Sequence, residues 1–166
     1  MGPVDKLSSK KPMLDRIDRA LLRALAVDAR ASGATLAALA GVAESTVSLR
    51  LRQLRSSGLI RGFRADVDLA ALGAPLQAMI AVRLGNHSRP LVDSFRGAAP
   101  SWPGVVSLFH TAGAEDYLLH VVARDADDLR DFVLQFLASH PAVQHTTTNL
   151  IFEHVAGVGW QDLVAE

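Results

Sequence analysis

The stretch Leu36-Ala-Ala-Leu-Ala-Gly-Val-Ala-Glu-Ser-Thr-Val-Ser-Leu-Arg-Leu-Arg-Gln-Leu-Arg-Ser-Ser-Gly-Leu59 decides the fold of the front of this 166-residue chain. Leu36, Leu39 and Ala40 follow one another at helical spacing behind Thr35, the expected N-cap of a short helix, and Gly41-Val42 breaks it. From about Glu44 to Ser57, Val47, Leu51 and Leu54 recur at i, i+4 and i+7, and Gly58 supplies the stop. Small residues at the contact and glycine in the tight turn are what a helix-turn-helix needs at its steep crossing. Upstream, Leu14, Ile17, Leu21, Leu22 and Leu25 form one apolar stripe. Asp15 is placed to cap that helix, predicted over Asp15 to Val27, and Asp18 adds negative charge to its first turn.

With Val47, Leu51 and Leu54 turned to the core, the outer face of the third helix carries Ser45, Leu49, Arg52 and Ser56, flanked by Thr46 and Ser48. Hydroxyls can bond bases or phosphates, Leu49 can meet a thymine methyl, and arginine suits guanine or phosphate, so this helix is the candidate reader of DNA. A solvated helix face has the same composition. Leu59 to Asp68 alternates loosely, as a short strand pair or wing does, and sets Arg61 and Arg64 beside the reading helix as phosphate clamps. Arg50 lies at the edge of the core stripe, where an ion pair with a first-helix carboxylate competes with a DNA contact. Thr35, Glu44 and Arg55 complete the candidate DNA-binding set.

The chain carries 17 basic and 17 acidic side chains, a net charge of zero that at face value argues against nucleic acid. The sum hides a split. Residues 1–64 hold 12 basic and 5 acidic groups (12 − 5 = +7), and residues 65–166 hold 5 and 12 (5 − 12 = −7). Two units with different partners are implied. The absence of cysteine excludes disulfide scaffolds, Cys-based zinc sites and thiol catalysis, and fits a cytoplasmic protein. The uncharged run Phe132 to Phe152 is too polar for a membrane span, and Met1 to Pro12 has lysines without an apolar core, which reads as a flexible basic arm.

The acidic half changes period. Gln77 to Leu84, Val105 to Thr111, Tyr117 to Ala123 and Val143 to Val155 read as strands; Pro90 to Ala98 and Asp127 to His140 read as helices, the latter with Leu129, Phe132, Val133, Phe136 and Leu137 inward. The order βαββαβ is the ferredoxin-like split unit, with both helices on one sheet face. A second copy of the same domain is the economical cover for the other face.

In this order the parts resemble the Lrp/AsnC (feast/famine) family of transcription regulators. Leu14-Asp15, Asp18, Leu36-Ala37, Val42, Val47, Arg50, Leu54, Gly58-Leu59-Ile60, Gly62-Phe63 and Leu72-Gly73 fall where that family's helix-turn-helix pattern has its elements. Pro103-Gly104-Val105, Gly113-Ala-Glu-Asp116-Tyr117-Leu118-Leu119, Leu129, His140-Pro141-Ala-Val143 and Thr147 correspond to its ligand-sensing domain. One departure is Ala43, where the family usually has a capping serine; Ser45 or a shifted helix start is the expected substitute.

The resemblance implies an α+β chain: an N-terminal winged helix-turn-helix domain, then a ferredoxin-like sensing domain that pairs into a dimeric α/β-barrel-like assembly. The expected boundaries are a basic arm at 1–13, the DNA-binding domain at 14–64, a linker at 65–76, the sensing and oligomerisation domain at 77–156 and a tail at 157–166. It further implies a homodimer, often built into octamers, on a double-stranded DNA operator in the nucleoid, and a small effector, commonly an amino acid, bound between sensing domains; no other cofactor and no membrane is expected. Physics supports a pocket at Gly113, Ala114, Glu115, Asp116 and Tyr117, where glycine admits a ligand to the backbone, turn N–H groups can meet a carboxylate, and Asp116 can pair with an ammonium group. Thr146, Thr147 and Thr148 join the effector set by resemblance; β-propensity explains them equally.

Two alternatives use the same residues. One is an architectural protein that wraps DNA with little sequence choice. The other is a metal-responsive regulator using His110, His120, His140, His145 and His154. No HExxH, GxSxG, P-loop or dinucleotide fingerprint is present, so no enzyme is expected.

Overall fold

The structure, a computed structural model, describes residues 13–85, 88–157 and 159–164. The basic arm predicted at the start lies outside the described residues up to position 12. The chain forms two compact units. One joins the chain up to Ala65 with the segment from Ala156 onward, and the other is Asp66–Val155.

The first unit holds α1 (Arg16–Val27), α2 (Gly33–Ala40) and α3 (Glu44–Ser56). Asp15 caps α1 in a reciprocal box: its Oδ1 accepts the Asp18 N–H at 2.9 Å and the Asp18 Oδ2 accepts the Asp15 N–H at 3.3 Å. Leu21, Leu36, Ala37, Ala40 and Val47 form the core. α2 starts earlier than the sequence predicts. Ser32 is its cap, with Oγ accepting the Thr35 N–H at 3.0 Å, so Thr35 is a first-turn residue. Ala37 takes the inward place expected of Leu39, which is 64% exposed, because the buried face runs along Leu36, Ala37 and Ala40.

At the head of α3, Ala43 makes no side-chain cap bond, and the helix still begins at Glu44. Neither Ser45 nor a shifted start substitutes for the missing serine; the Ala43 carbonyl accepts the Thr46 and Val47 N–H groups at 3.0 and 3.2 Å. Gly58, at φ +76°, turns the chain out of α3, and the Ile60 N–H closes back on the Leu54 carbonyl at 3.0 Å. The strand pair expected from Leu59 to Asp68 is absent: this segment contains no strand. Residues 61–67 make no backbone–backbone hydrogen bond among the described residues, and a strand forms only against a partner. The segment after Ala156, which includes the expected tail at 157–166, contains a short 3₁₀ turn, Gln161–Val164, whose Val164 packs with Leu22 and Leu54.

The second unit runs β1 (Leu76–Leu84), α4 (Arg89–Ala98), β2 (Val105–His110), β3 (Tyr117–Ala123), α5 (Ala126–Phe132) and β4 (Val143–Ile151). The sheet order is β2-β3-β1-β4, and all three ladders are antiparallel. α5 continues as a π-helical stretch, Val133–Ala138. β4 stops short of the predicted Val155 because its partner β1 begins at Leu76: Ile151 pairs with Gln77, and Phe152 beyond it is 97% exposed.

Alternation divides the sheet cleanly. Ala78, Ile80, Val82, Leu84, Tyr117, Leu119 and Val121 are buried in one cluster with Phe95, Leu129, Phe132 and Leu137 from the helical segments. The intervening residues, Met79 and Ala81 on β1, Leu118 and Val122 on β3 and Phe109 on β2, face the other way, so the open face is apolar at its centre.

His140 closes the aromatic part of this core, 5.3 Å from the Phe95 ring and 6.0 Å from Trp102, with Nδ1 accepting the Ala142 N–H at 3.2 Å. Burial holds its imidazole below the ordinary value of 6.5. A lowered folded-state value means that the unfolded chain binds the proton more readily, so this contribution is complete above 6.5 and is lost as the pH falls below it. Calorimetric unfolding should move to lower temperature from about pH 7 to about pH 5.5. His140→Gln should shallow that dependence, leaving the share of His120, which burial also lowers. An unchanged slope in the variant would remove His140 as a cause.

Candidate nucleic-acid interface and effector turn

Among the predicted DNA-binding residues, Ser45, Ser48, Leu49, Arg52 and Arg55 are exposed on α3, and Thr46 is half-buried at its flank. Leu49 leaves 47% of its surface open, an uncommon position for leucine on a helix otherwise polar on that side. The Arg52 Nε–H folds back on the Ser48 carbonyl at 3.3 Å, which lays the guanidinium along the outer face. Arg61 and Arg64 are exposed on the irregular segment after Gly58.

Arg50 goes elsewhere. Its guanidinium reaches the Asp15 carboxylate at 2.8 Å and Asp18 at 3.5 Å, tying α3 to the capping box of α1. Of the two roles open to Arg50, the ion pair is formed: its donors meet two carboxylates, one of them on a residue only 7% exposed. The Asp18 N–H bond, with Arg50 beside it, holds Asp15 below the usual carboxylate value of 3.8. Glu44 is also placed apart from the polar face. Its carboxylate stands over Gly33, where a Cβ would meet Oε2 at 3.1 Å, at the positive end of α2. Thr35 is exposed, with its hydroxyl 2.9 Å from that of Ser32.

The predicted effector residues do not form one lining. Gly113 has φ +146°, and the turn that it opens is pinned to the end of β1. The Arg83 Nε–H donates to the Ala114 carbonyl at 3.0 Å, and its other nitrogen reaches the Glu115 Oε1 at 3.2 Å. The Asp116 Oδ2 accepts the Leu84 N–H at 2.8 Å while the Asp116 N–H donates to the Val82 carbonyl at 3.0 Å. Asp116 thus has a structural task that the sequence did not reveal. Glu115 Oε2 is buried without a hydrogen-bond partner among the described residues.

Tyr117 lies on the helix side of the sheet, 1% exposed, 5.1 Å from Phe95 and stacked at 4.7 Å on His110. Its hydroxyl has no partner among the described residues, and burial raises it above the ordinary value of 10.0. The three threonines alternate: Thr146 and Thr148 sit opposite the buried Val82 and Ile80, whereas Thr147 sits opposite Ala81 on the open face. A groove of about 300 Å³ beside α5 includes Thr148 and no residue of the Gly113 turn.

The histidines of the metal alternative are divided between the two faces of the sheet, with the charge of His154 felt at His120. His110 is on the helix side with Tyr117, while His120 is on the open side with Nε2 at 2.8 Å from Gln77 Oε1. Among the described residues no three His, Cys, Asp or Glu side chains gather to hold a metal. Sequence reasoning missed Arg83, whose signal is legible in retrospect: it is the one charged residue of the strand Leu76–Leu84.

Comparison with known proteins matches both units. Residues 14–55 match the AsnC-type helix-turn-helix domain and residues 77–157 the Lrp/AsnC ligand binding domain. The transcriptional regulator AldR of Mycolicibacterium smegmatis is 46% identical over 87% of this chain and 84% of its own length. AldR of Mycobacterium tuberculosis has a crystal structure that superposes with a TM-score of 0.76 at 42% identity, over 89% of this chain and 98% of that one. A Neisseria meningitidis transcriptional regulator in complex with L-Met superposes with a TM-score of 0.81 at 28% identity, over 87% and 93%.

Replacing Arg50 with Met leaves two carboxylates facing an apolar stem. The unit that contains α3 should lose about 1–3 kcal/mol in urea unfolding. Arg52→Ala, on the exposed face, should lose about 0.5 kcal/mol or less. Equal losses in the two variants would remove the distinction drawn between these arginines.

Proposed function

This chain belongs to the Lrp/AsnC family of DNA-binding transcriptional regulators, and we propose that it reads its operator with the exposed face of α3 under the control of an amino acid bound at the Gly113 turn. It is a regulator and not an enzyme, as its relatives are. The observation that carries the reading is the separation of arginines on α3: Arg50 turned inward to α1, Arg52 and Arg55 left on the exposed surface with Ser45, Ser48 and Leu49. Such a surface offers hydroxyl, apolar and guanidinium contacts in one major groove. The head of α3 adds to it. With Ala43 making no side-chain bond, no hydroxyl or carboxylate at that position competes for the first-turn amides, which favours a phosphate there. Arg61 and Arg64 then serve as backbone clamps.

Amino-acid control is supported by the L-Met complex of the Neisseria relative and by the Glu115 Oε2, which has no hydrogen-bond partner among the described residues beside the Arg83 clamp. A buried carboxylate oxygen in that state favours a cation, and an amino acid's ammonium group is one. Glu115 therefore takes the role first given to Asp116. A second copy of the chain covers the apolar open face around Met79, Phe109 and Leu118, giving a homodimer with two reading heads; further assembly to an octamer, and residence on the chromosome in the cytoplasm, belong to the same reading. Effector binding changes operator affinity by favouring one arrangement of the heads.

Arg52→Ala should weaken binding to an operator selected from genomic fragments by about 1–3 kcal/mol and reduce the salt slope by about one phosphate contact. Unchanged affinity and slope would remove α3's outer face as the reader. In a thermal-shift series of the free amino acids with L-methionine included, at least one should raise the unfolding temperature of the wild-type protein. Glu115→Gln should abolish that rise while operator affinity without effector persists; a full rise in the variant would overturn the ammonium role.

A further inference from the structure

The segment that follows the sensing unit packs back on the DNA-reading unit. Val164, 6% exposed, is seated between Leu22 of α1 and Leu54 of α3, with Leu14, Leu51 and Ile60 packed around them. This is a second apolar cluster, apart from the one that holds α1, α2 and α3 together through Leu21, Leu36 and Val47. The ligand-binding-domain match ends at residue 157, so the residues that make the contact lie beyond it.

We infer that the C-terminal segment Gln161–Val164 is a working part of the reading head, an internal partner whose Val164 docks in the apolar seat formed by α1 and α3 and holds the reading helix in place. Three observations carry this. Val164 packs on α1 and shares one buried cluster with Leu54 of the reading helix, on the side of α3 opposite its polar face. Its neighbour Leu163 is 82% exposed, so the docking is selective for one side chain of the pair. The chain passes between its two units twice, at 65–66 and at 155–156. A single covalent connection leaves a domain free to turn about it, whereas a second connection that is also docked restrains that turning.

The two connections start from neighbouring strands. Gln77 near the start of β1 pairs with Ile151 at the end of β4, so the chain enters and leaves the sheet at one end of the same ladder. Both connections therefore leave the sheet from this strand pair, and the one that follows β4 continues into the docked segment. Ordering the reading helix before it meets DNA also lowers the entropy lost on binding.

The test uses the full-length protein, Val164→Asp and Leu163→Asp, with two readouts: amide hydrogen exchange by element, and affinity for a random-sequence duplex of about 40 base pairs at about 50 mM salt. The second readout rests on the DNA-binding reading, and the first does not. Val164→Asp should speed exchange in α1 and α3 roughly tenfold, leave β1 to β4 unchanged and weaken duplex binding about threefold to tenfold. Leu163→Asp should match the wild type in both. Wild-type protection of α1 and α3 in Val164→Asp would overturn the docking, as would equal effects of the two substitutions or faster exchange across the whole sheet. Failure of the wild type to bind any duplex would sink the DNA-reading proposal, while the exchange data would still decide whether the segment docks.

Discussion

The reading head is organised around one carboxylate. Asp18 is the only charged residue in the buried set among the described residues, and it closes the Asp15 cap of α1 while facing the Arg50 guanidinium of α3. A carboxylate that buried is costly unless its oxygens are satisfied, so the position tolerates α3 only in the rotation that brings Arg50 inward. Once Arg50 is fixed, helical geometry decides the rest. Residues one place on either side, Leu49 and Leu51, fall about 100° away in opposite directions, and Arg52 falls on the far side. The ion pair thus selects which arginines remain on the surface.

The sensing unit has a comparable constraint at the end of β1. Arg83 and the backbone of Val82 and Leu84 hold the Gly113 turn at four points, two through Arg83 and two through Asp116. The glycine supplies the positive φ, and the polar bonds remove the freedom that it would otherwise bring. Among the described residues, the Glu115 Oε2 is the buried side-chain oxygen left without a partner at this turn. Binding sites are assembled this way, with most polar groups spent on rigidity and a few kept for the ligand.

Much of this was legible in the sequence, and the failures have physical causes. The order of helices and strands follows from periodicity, since 3.6 and 2.0 leave different marks on an apolar pattern. The boundaries depended on partners that periodicity does not report. β4 ends where β1 has no more residues to pair with, and residues 61–67 find no backbone partner among the described residues. The helix-turn-helix face was readable because α3 is a single element with its own stripe. The effector set was not, since successive residues on a strand point to opposite faces: Thr147 parts from Thr146 and Thr148, and Tyr117 goes to the core. Resemblance named these residues, and the strand register sorts them by side of the sheet.

The charge split acquires a structural meaning from the same sorting. Of the 12 basic side chains in residues 1–64, Arg50 is held by Asp15 and Asp18 and turned away from the polar face of α3. Arg52 and Arg55 are exposed on α3, and Arg61 and Arg64 are exposed on the segment that follows it, so the free cationic groups cluster within a short stretch of chain. In the other unit the acidic side chains are drawn into local pairs: Arg124 holds Asp128 down to about 2, and Arg130 meets Asp127 and Asp131. Pairs of that kind are exposed and contribute little to stability. Their effect is on the field: a unit that presents balanced or negative charge offers phosphate no landing site, which leaves the head as the place where DNA binds.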